Sequence, residues 1–191
     1  MQSSIIPEIG WMFNKIISSP IVKVPARYGA IAGVLCVIFL ITLFYMGKSP
    51  FLINPYMDFR VILFAILIFF ALKEERDFYK GGFLEMWEGM ASGLVFLIIA
   101  AIIGAIGILI FGAIQPAFFS NFIAEATAQI QNYPDETVKQ IGKEVLERSL
   151  SELRGYTTYD LASRYTGQTF IIGFFITVII SVILRRQPKQ N

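Results

Sequence analysis

The sequence predicts an all-α integral membrane protein: a bundle of four transmembrane helices, an amphipathic helix before it and a helical hairpin on its far side. Two observations carry this. Four stretches, Tyr28–Met46, Tyr56–Leu72, Gly89–Ile114 and Thr166–Leu184, are almost free of charge. Each is near the ~20 apolar residues that cross the roughly 30 Å hydrocarbon core of a bilayer as a helix. Inside that core every backbone donor and acceptor must be paired within the segment, which a helix achieves. The second observation is composition, 55% hydrophobic and 16% charged. Soluble domains run at about 45–50% and about 25%.

Residues 1–25 form an interfacial segment. Ile5, Ile6, Ile9, Met12, Phe13, Ile16 and Ile17 recur at helical spacing, which reads as a helix lying along the membrane surface with Trp11 in the interface layer. A tail without fixed structure is the alternative. Pro20 and Pro25 end the pattern before the first span. No secretory signal is expected, since the first long apolar run begins at Tyr28 and no Ala-x-Ala site follows it.

The transmembrane domain covers 26–186. Span one, about 28–46, carries Gly29-x-x-x-Gly33 and the lone cysteine, Cys36, a small packing residue with no partner for a disulfide. Span two, about 56–72, has no glycine and is expected at the periphery, with Asp58 and Arg60 at its opening. Span three, about 89–114, places Gly89, Gly93, Ala100, Gly104 and Gly107 within an arc of roughly 60°, at about 100° of turn per residue. Span four, about 166–184, repeats Thr169, Gly173, Thr177 and Ser181 at helical spacing. Small residues let helix backbones approach closely, and dispersion then drives association in lipid. Packing within the bundle is the simpler account of these stripes; a substrate path or partner face is the other. Leu97 falls at the edge of the span-three stripe.

Residues 115–165 read as a helical hairpin. Pro116 suits a first helical turn. Phe118, Phe119, Phe122, Ile123, Ala126 and Ile130 share one face, and Asn132-Tyr133-Pro134-Asp135 breaks the helix. A second helix, about Asp135–Leu153, carries a stripe of Val138, Ile141, Val145, Leu146, Leu150 and Leu153. The two helices are expected to pack on each other. Glu144 precedes Arg148 by one turn as an ion pair, Gly155 ends the helix, and Thr157-x-x-Asp160 resembles a capping box. Tyr156, Tyr159 and Tyr165 suit the interfacial aromatic layer.

Basic residues set orientation. Lys15, Lys23 and Arg27, then Lys73, Arg76 and Lys80, then Arg185, Arg186 and Lys189 fall on one side; the opposite short loop has Lys48 and Arg60. Both termini, including the tail 187–191, are therefore expected in the cytoplasm and the hairpin outside it.

There is no histidine. No charged residue is expected near a span centre, where proton relays and ion paths are built. No catalytic, cofactor-binding or metal site is expected. Net charge +2 without a basic patch excludes nucleic acid as a partner. Glu85 and Glu88 lie where they could meet a ligand at the interface, though solvation at a span end also explains them. Arg76 and Asp77 join them as possible interfacial contacts.

Glu75-Arg76-Asp77, Gly81-Gly82-Phe83 and the helix containing Gly93 resemble a bacterial family of four-span membrane proteins best known from Bacteroidetes, the domain of unknown function 4199. Gln115-Pro116-Ala117-Phe118 resembles that family's Asn-Pro-Asp-Phe, and Leu184-Arg185-Arg186 resembles its ending. The likeness runs from about Arg27 to Arg186. Trp87 and Glu88 stand where the family tends towards Phe and Gly, and Ala117 replaces the aspartate. The resemblance implies the fold and a location in the bacterial inner membrane, with no activity attached. The expected function is a non-enzymatic structural or accessory subunit that sits in the lipid bilayer and binds a larger membrane or envelope protein. A small transporter or channel lined by Thr169, Thr177 and Ser181 is the second reading. An enzyme on lipid-linked substrates, which needs Arg76, Asp77, Glu85 and Glu88 to converge, is the third.

Overall fold

The computed structural model describes residues 19–49, 51–52 and 58–186. The expected surface helix with Trp11 and the tail 187–191 lie outside those residues. The described residues are helical, with one isolated bridge between Leu84 and Arg186. Three helices are long and apolar enough to cross a membrane: α1 (Pro20–Tyr45), α3 (Met86–Ile114) and α7 (Thr158–Leu184). Between them lie α2 (Phe59–Glu74), α4 (Pro116–Gln131), α5 (Asp135–Ile141) and α6 (Lys143–Arg154), with a π-helical turn at Glu75–Tyr79.

The helix α1 begins earlier than the prolines suggested. Pro20 takes the first helical position, where its missing N–H costs nothing. Pro25 then sits inside the helix and is buried. It removes the backbone donor that the Ile21 carbonyl would use.

The direction of each helix follows from contacts at its ends. Arg27 and Tyr28, near the start of α1, bond Glu74 at the end of α2. Phe39, late in α1, stacks on Phe59 at the start of α2, with ring centroids 3.8 Å apart. The helix α2 therefore returns antiparallel along α1. Ser92, early in α3, lies beside Ile21, and Leu84 pairs with Arg186 at the end of α7. The starts of α1 and α3 and the ends of α2 and α7 thus share one end of the bundle. Packing runs α1 on α3, α3 on α7, α7 on α2 and α2 on α1.

The helix α2, expected as the second span, is less peripheral than its lack of glycine implied. Ile62, Ile66 and Phe70 face outward, but Phe64, Ile68, Ala71 and Leu72 are fully buried. Phe64 meets Phe96 of α3 edge-on at 5.6 Å. Large side chains also bury a helix face; small ones only set how close the axes come.

The small residues divide into two seams. At Gly29 an added Cβ would lie 2.5 Å from the Phe96 carbonyl oxygen, and at Gly33 2.8 Å from Ile103 Cβ, so α1 and α3 touch nearly backbone to backbone. Gly107 faces Val37 in the same seam. In the α3–α7 seam Gly89 faces Ser181, Gly93 faces Thr177, Gly104 faces the Tyr165 ring and Gly173 receives the tip of Leu97. Leu97 is therefore a buried knob and not the edge residue that the turn count suggested.

The helices α4, α5 and α6 differ from the expected hairpin in two ways. Gly142, at φ +90°, splits the second helix into α5 and α6. Phe118 and Phe122 are buried, but mainly on the bundle: Phe118 meets Phe44, Phe51 and Phe111, and Phe122 meets Phe51 and Tyr156. The helices α4 and α6 still touch. Gly155 ends α6, and Thr157 and Asp160 form the capping box of α7. Arg148 pairs forward with Glu152 at 3.1 Å and not back with Glu144.

Candidate functional site

The polar residues of the bundle gather at its two ends, and at each end one charged side chain is buried. These charges lie at helix ends and not near a helix centre, and what the sequence did not suggest is their burial. The sequence places Arg60 and Glu75 at helix ends, but the crossing of neighbouring helices covers both.

At the α4–α6 end, Arg60 is 5% exposed. Asp58 caps α2 by accepting the Arg60 backbone N–H at 2.9 Å, and its carboxylate also accepts Arg60 Nε at 2.9 and 3.0 Å. Arg60 Nη1 donates to Thr169 Oγ1 at 3.2 Å and Nη2 to Gln168 Oε1 at 3.0 Å. The guanidinium lies 4.8 Å above the Tyr165 ring. Each face of this cation is matched, which is the condition for burying one. Tyr165 is accordingly buried, whereas the sequence placed it in the interface layer with Tyr156 and Tyr159.

At the other end, Glu75 opens the π-helical turn and is fully buried. Single-turn π segments concentrate at functional sites. Ser92 Oγ lies 2.5 Å from Glu75 Oε2 and 3.5 Å from the Ile21 carbonyl oxygen that Pro25 leaves without its helical donor. Glu75 Oε1 has no hydrogen-bond partner among the described residues. Burial pushes this carboxyl above its ordinary range, Ser92 and Lys80 oppose the shift, and Glu88 adds to it.

Of the four predicted interfacial residues only Glu88 acts on this carboxyl, and the four do not converge on one point. Arg76 pairs with Asp77 at 2.7 Å; Asp77 is exposed, and Arg76 holds its carboxyl below the usual carboxylate range. Glu88 pairs with Lys80 and accepts the Glu85 backbone N–H at 3.1 Å, closing a capping box at the start of α3. Glu85 accepts Trp87 Nε1. Among the described residues no three His, Cys, Asp or Glu side chains are placed to hold a metal ion.

The loop holding this end together turns on Gly81 and Gly82, at φ +62° and +89°. A Cβ at either would meet nothing within 4 Å, so the requirement is conformational: the left-handed region disfavours every residue with a side chain. Gly82 N–H closes the turn on the Arg76 carbonyl at 2.8 Å. The Arg-Asp pair, the π turn and the double-glycine turn thus form one unit ahead of α3. The family model described as protein of unknown function (DUF4199) matches residues 27–186, a stretch that includes this unit. The chain belongs to that family. No curated protein and no solved structure matches it. Membership in DUF4199 carries no activity, so function rests on the geometry.

Sequence reasoning singled out Arg76, Asp77, Glu85 and Glu88 and passed over Glu75, Ser92 and Arg60 as site residues. The signal was present in part. Glu75 lies in a run with four other charged residues, Lys73, Glu74, Arg76 and Asp77, and only the π turn, which shifts the helix phase, selects it for burial. Thr169, Thr177 and Ser181, named as a polar lining, are buried: Thr169 holds Arg60, and the other two fill the space above Gly93 and Gly89.

Proposed function

We propose that the protein is a non-enzymatic multi-pass subunit of a bacterial inner membrane that binds a larger membrane or envelope protein through α5 and α6. One observation carries this reading. The apolar stripe of these helices is left partly uncovered: no residue of either is fully buried, Ile141 and Val145 are 41% and 52% exposed, and Val138, Leu146, Leu150 and Leu153 are half-buried. Such a stripe on short, otherwise charged helices needs a cover, because helices of this length are marginal in water. The closed interior supports the same reading, since the centre between the long helices is filled by side chains such as Ala32, Phe64 and Phe96.

Four membrane crossings fit this role. The helices α1 and α3 run parallel, so the chain must return between them, and α2 makes that return. Its 16 residues span about 24 Å at 1.5 Å each, with Asp58 capping the far end. The end carrying Lys73, Arg76, Lys80, Arg185 and Arg186 is then cytoplasmic by the positive-inside rule.

Photo-crosslinking in cells tests the reading. A photoreactive residue at Val145 or Ile141 should give one discrete adduct with a larger protein, while the same residue at Ile106 on the lipid face should give none. Absence of an adduct from the α5–α6 stripe sinks it. The buried Glu75 favours a second reading, a small proton-coupled transporter. Its test is proton release when candidate solutes are added to the protein in vesicles, with Glu75→Gln as the silent control.

A further inference from the structure

The helices α3 and α7 are antiparallel and tied at the Glu75 end. Leu84 N–H donates to the Arg186 carbonyl and Arg186 N–H to the Leu84 carbonyl, both at 3.0 Å. Next to this tie lies an open cleft of about 400 Å³ lined by Glu85, Trp87, Met90 and Arg185. Beside it is a cavity of about 200 Å³ lined by Met90, Ala91, Leu94, Leu97 and Phe174, with Thr177 its one hydroxyl-bearing residue. Met90 lines both, so a charged mouth leads into an apolar trough.

We propose that this cleft binds one zwitterionic aminophospholipid, with its phosphate on Arg185, its ammonium on Glu85 and an acyl chain along Met90, Leu94 and Phe174.

Length fits. From Glu85 to Leu97 along α3, and from Arg185 to Phe174 along α7, the walls run about 16–18 Å at 1.5 Å per residue. Half of the roughly 30 Å hydrocarbon core is about 15 Å, the depth of one leaflet. The trough therefore ends where an acyl chain of that leaflet ends. Charge fits as well. Arg185 makes no ion pair or hydrogen bond with another described residue. Glu85 accepts Trp87 Nε1 and, in the capping box, the Glu88 backbone N–H, and a carboxylate has further acceptor sites. Opposite charges on the two walls match the phosphate and primary ammonium of one headgroup. A glycerol headgroup has no cation to offer Glu85, and a choline headgroup has no N–H to donate. Trp87, 60% exposed, lies at the mouth, at the level where indoles favour the membrane interface. This assignment goes beyond the accessory role and is independent of it.

Fluorescence of Trp87 tests the proposal. The chain has two tryptophans, so Trp11→Phe leaves Trp87 as the only reporter. The full-length protein in phosphatidylcholine vesicles is titrated with chain-brominated phosphatidylethanolamine or phosphatidylglycerol. Phosphatidylethanolamine should quench at a mole fraction roughly threefold lower, the preference one interfacial ion pair supports. Glu85→Gln should erase that preference. Arg185→Gln should weaken quenching by both lipids, and Arg185→Lys should restore it. If Glu85→Gln does not fold, the two Arg185 variants decide. Equal quenching by both lipids in the parent protein would overturn the proposal in favour of bulk lipid. No quenching by either, with helicity intact, would overturn it in favour of a protein segment covering the cleft.

Discussion

Ser92 Oγ stands between Glu75 Oε2 and the Ile21 carbonyl oxygen, at 2.5 and 3.5 Å. A hydroxyl has one proton to donate. With Glu75 ionised, Ser92 donates to the carboxylate and the Ile21 carbonyl is left without a donor. With Glu75 protonated, the carboxyl donates to Ser92, which donates to Ile21, and the whole row is satisfied. Pro25 makes this row necessary, because it removes the N–H that Ile21 would otherwise accept.

The first prediction is a pH dependence. Burial raises the folded carboxyl of Glu75 above its ordinary value of 4.5. The folded state then holds a proton that the unfolded state has already released. Stability contributed by Glu75 is full below the unfolded value and falls as pH rises through the folded one. Thermal unfolding in detergent from pH 4 upward should show this loss, and Glu75→Gln should flatten it. A parent and variant with the same pH slope would mean that folding does not raise the Glu75 carboxyl.

The second concerns the α3–α7 seam. Gly93→Leu and Gly104→Leu should lower Tm sharply, since Thr177 and Tyr165 occupy the space a side chain needs. Leu97→Ala should also destabilise, by about 2–5 kcal/mol, because its tip fills the hollow over Gly173. Ile106→Ala, on the outward face, should change little. Equal Tm values for all four variants would show that the seam is not tightly packed.

The third concerns Arg60. Asp58→Asn should cost about 3–5 kcal/mol by leaving a buried cation without its counter-ion. The double change Asp58→Asn with Arg60→Met should recover most of it. Chemical unfolding of the three proteins measures this coupling, and a double variant as weak as the single one would refute it.

The fourth concerns the helices α4, α5 and α6. Phe122→Ser should speed proteolysis near Asn132–Asp135, because Phe122 anchors α4 to Phe51 and Tyr156. Val145→Ser should leave the cleavage rate unchanged in the isolated protein, since Val145 is exposed. Comparable acceleration by both would place the anchor on α6.

The fifth is topology. In a Cys36→Ser background, an impermeant thiol reagent added to intact cells should label Lys139→Cys and leave Lys80→Cys unlabelled. The reverse pattern would invert the orientation.

The sequence by itself determined that the chain is helical and built for lipid. Runs such as Gly89–Ile114 permit nothing else across a bilayer, where the backbone must satisfy itself. It also determined local punctuation: Pro116 at the start of α4, Gly155 after α6 and the Thr157–Asp160 box depend only on neighbours in the chain. Tertiary structure decided everything that requires a second helix. The turn count placed the glycines of span three on one stripe, but two partners, α1 and α7, divide them and draw Leu97 inward. Burial of Arg60 and Glu75 was decided in the same way. Each lies at a helix end, where a sequence reads solvent, and each is covered by a neighbour distant in the chain. Periodicity reports the faces of one helix; which face meets another helix, and which charge that meeting traps, is a property of the packed bundle alone.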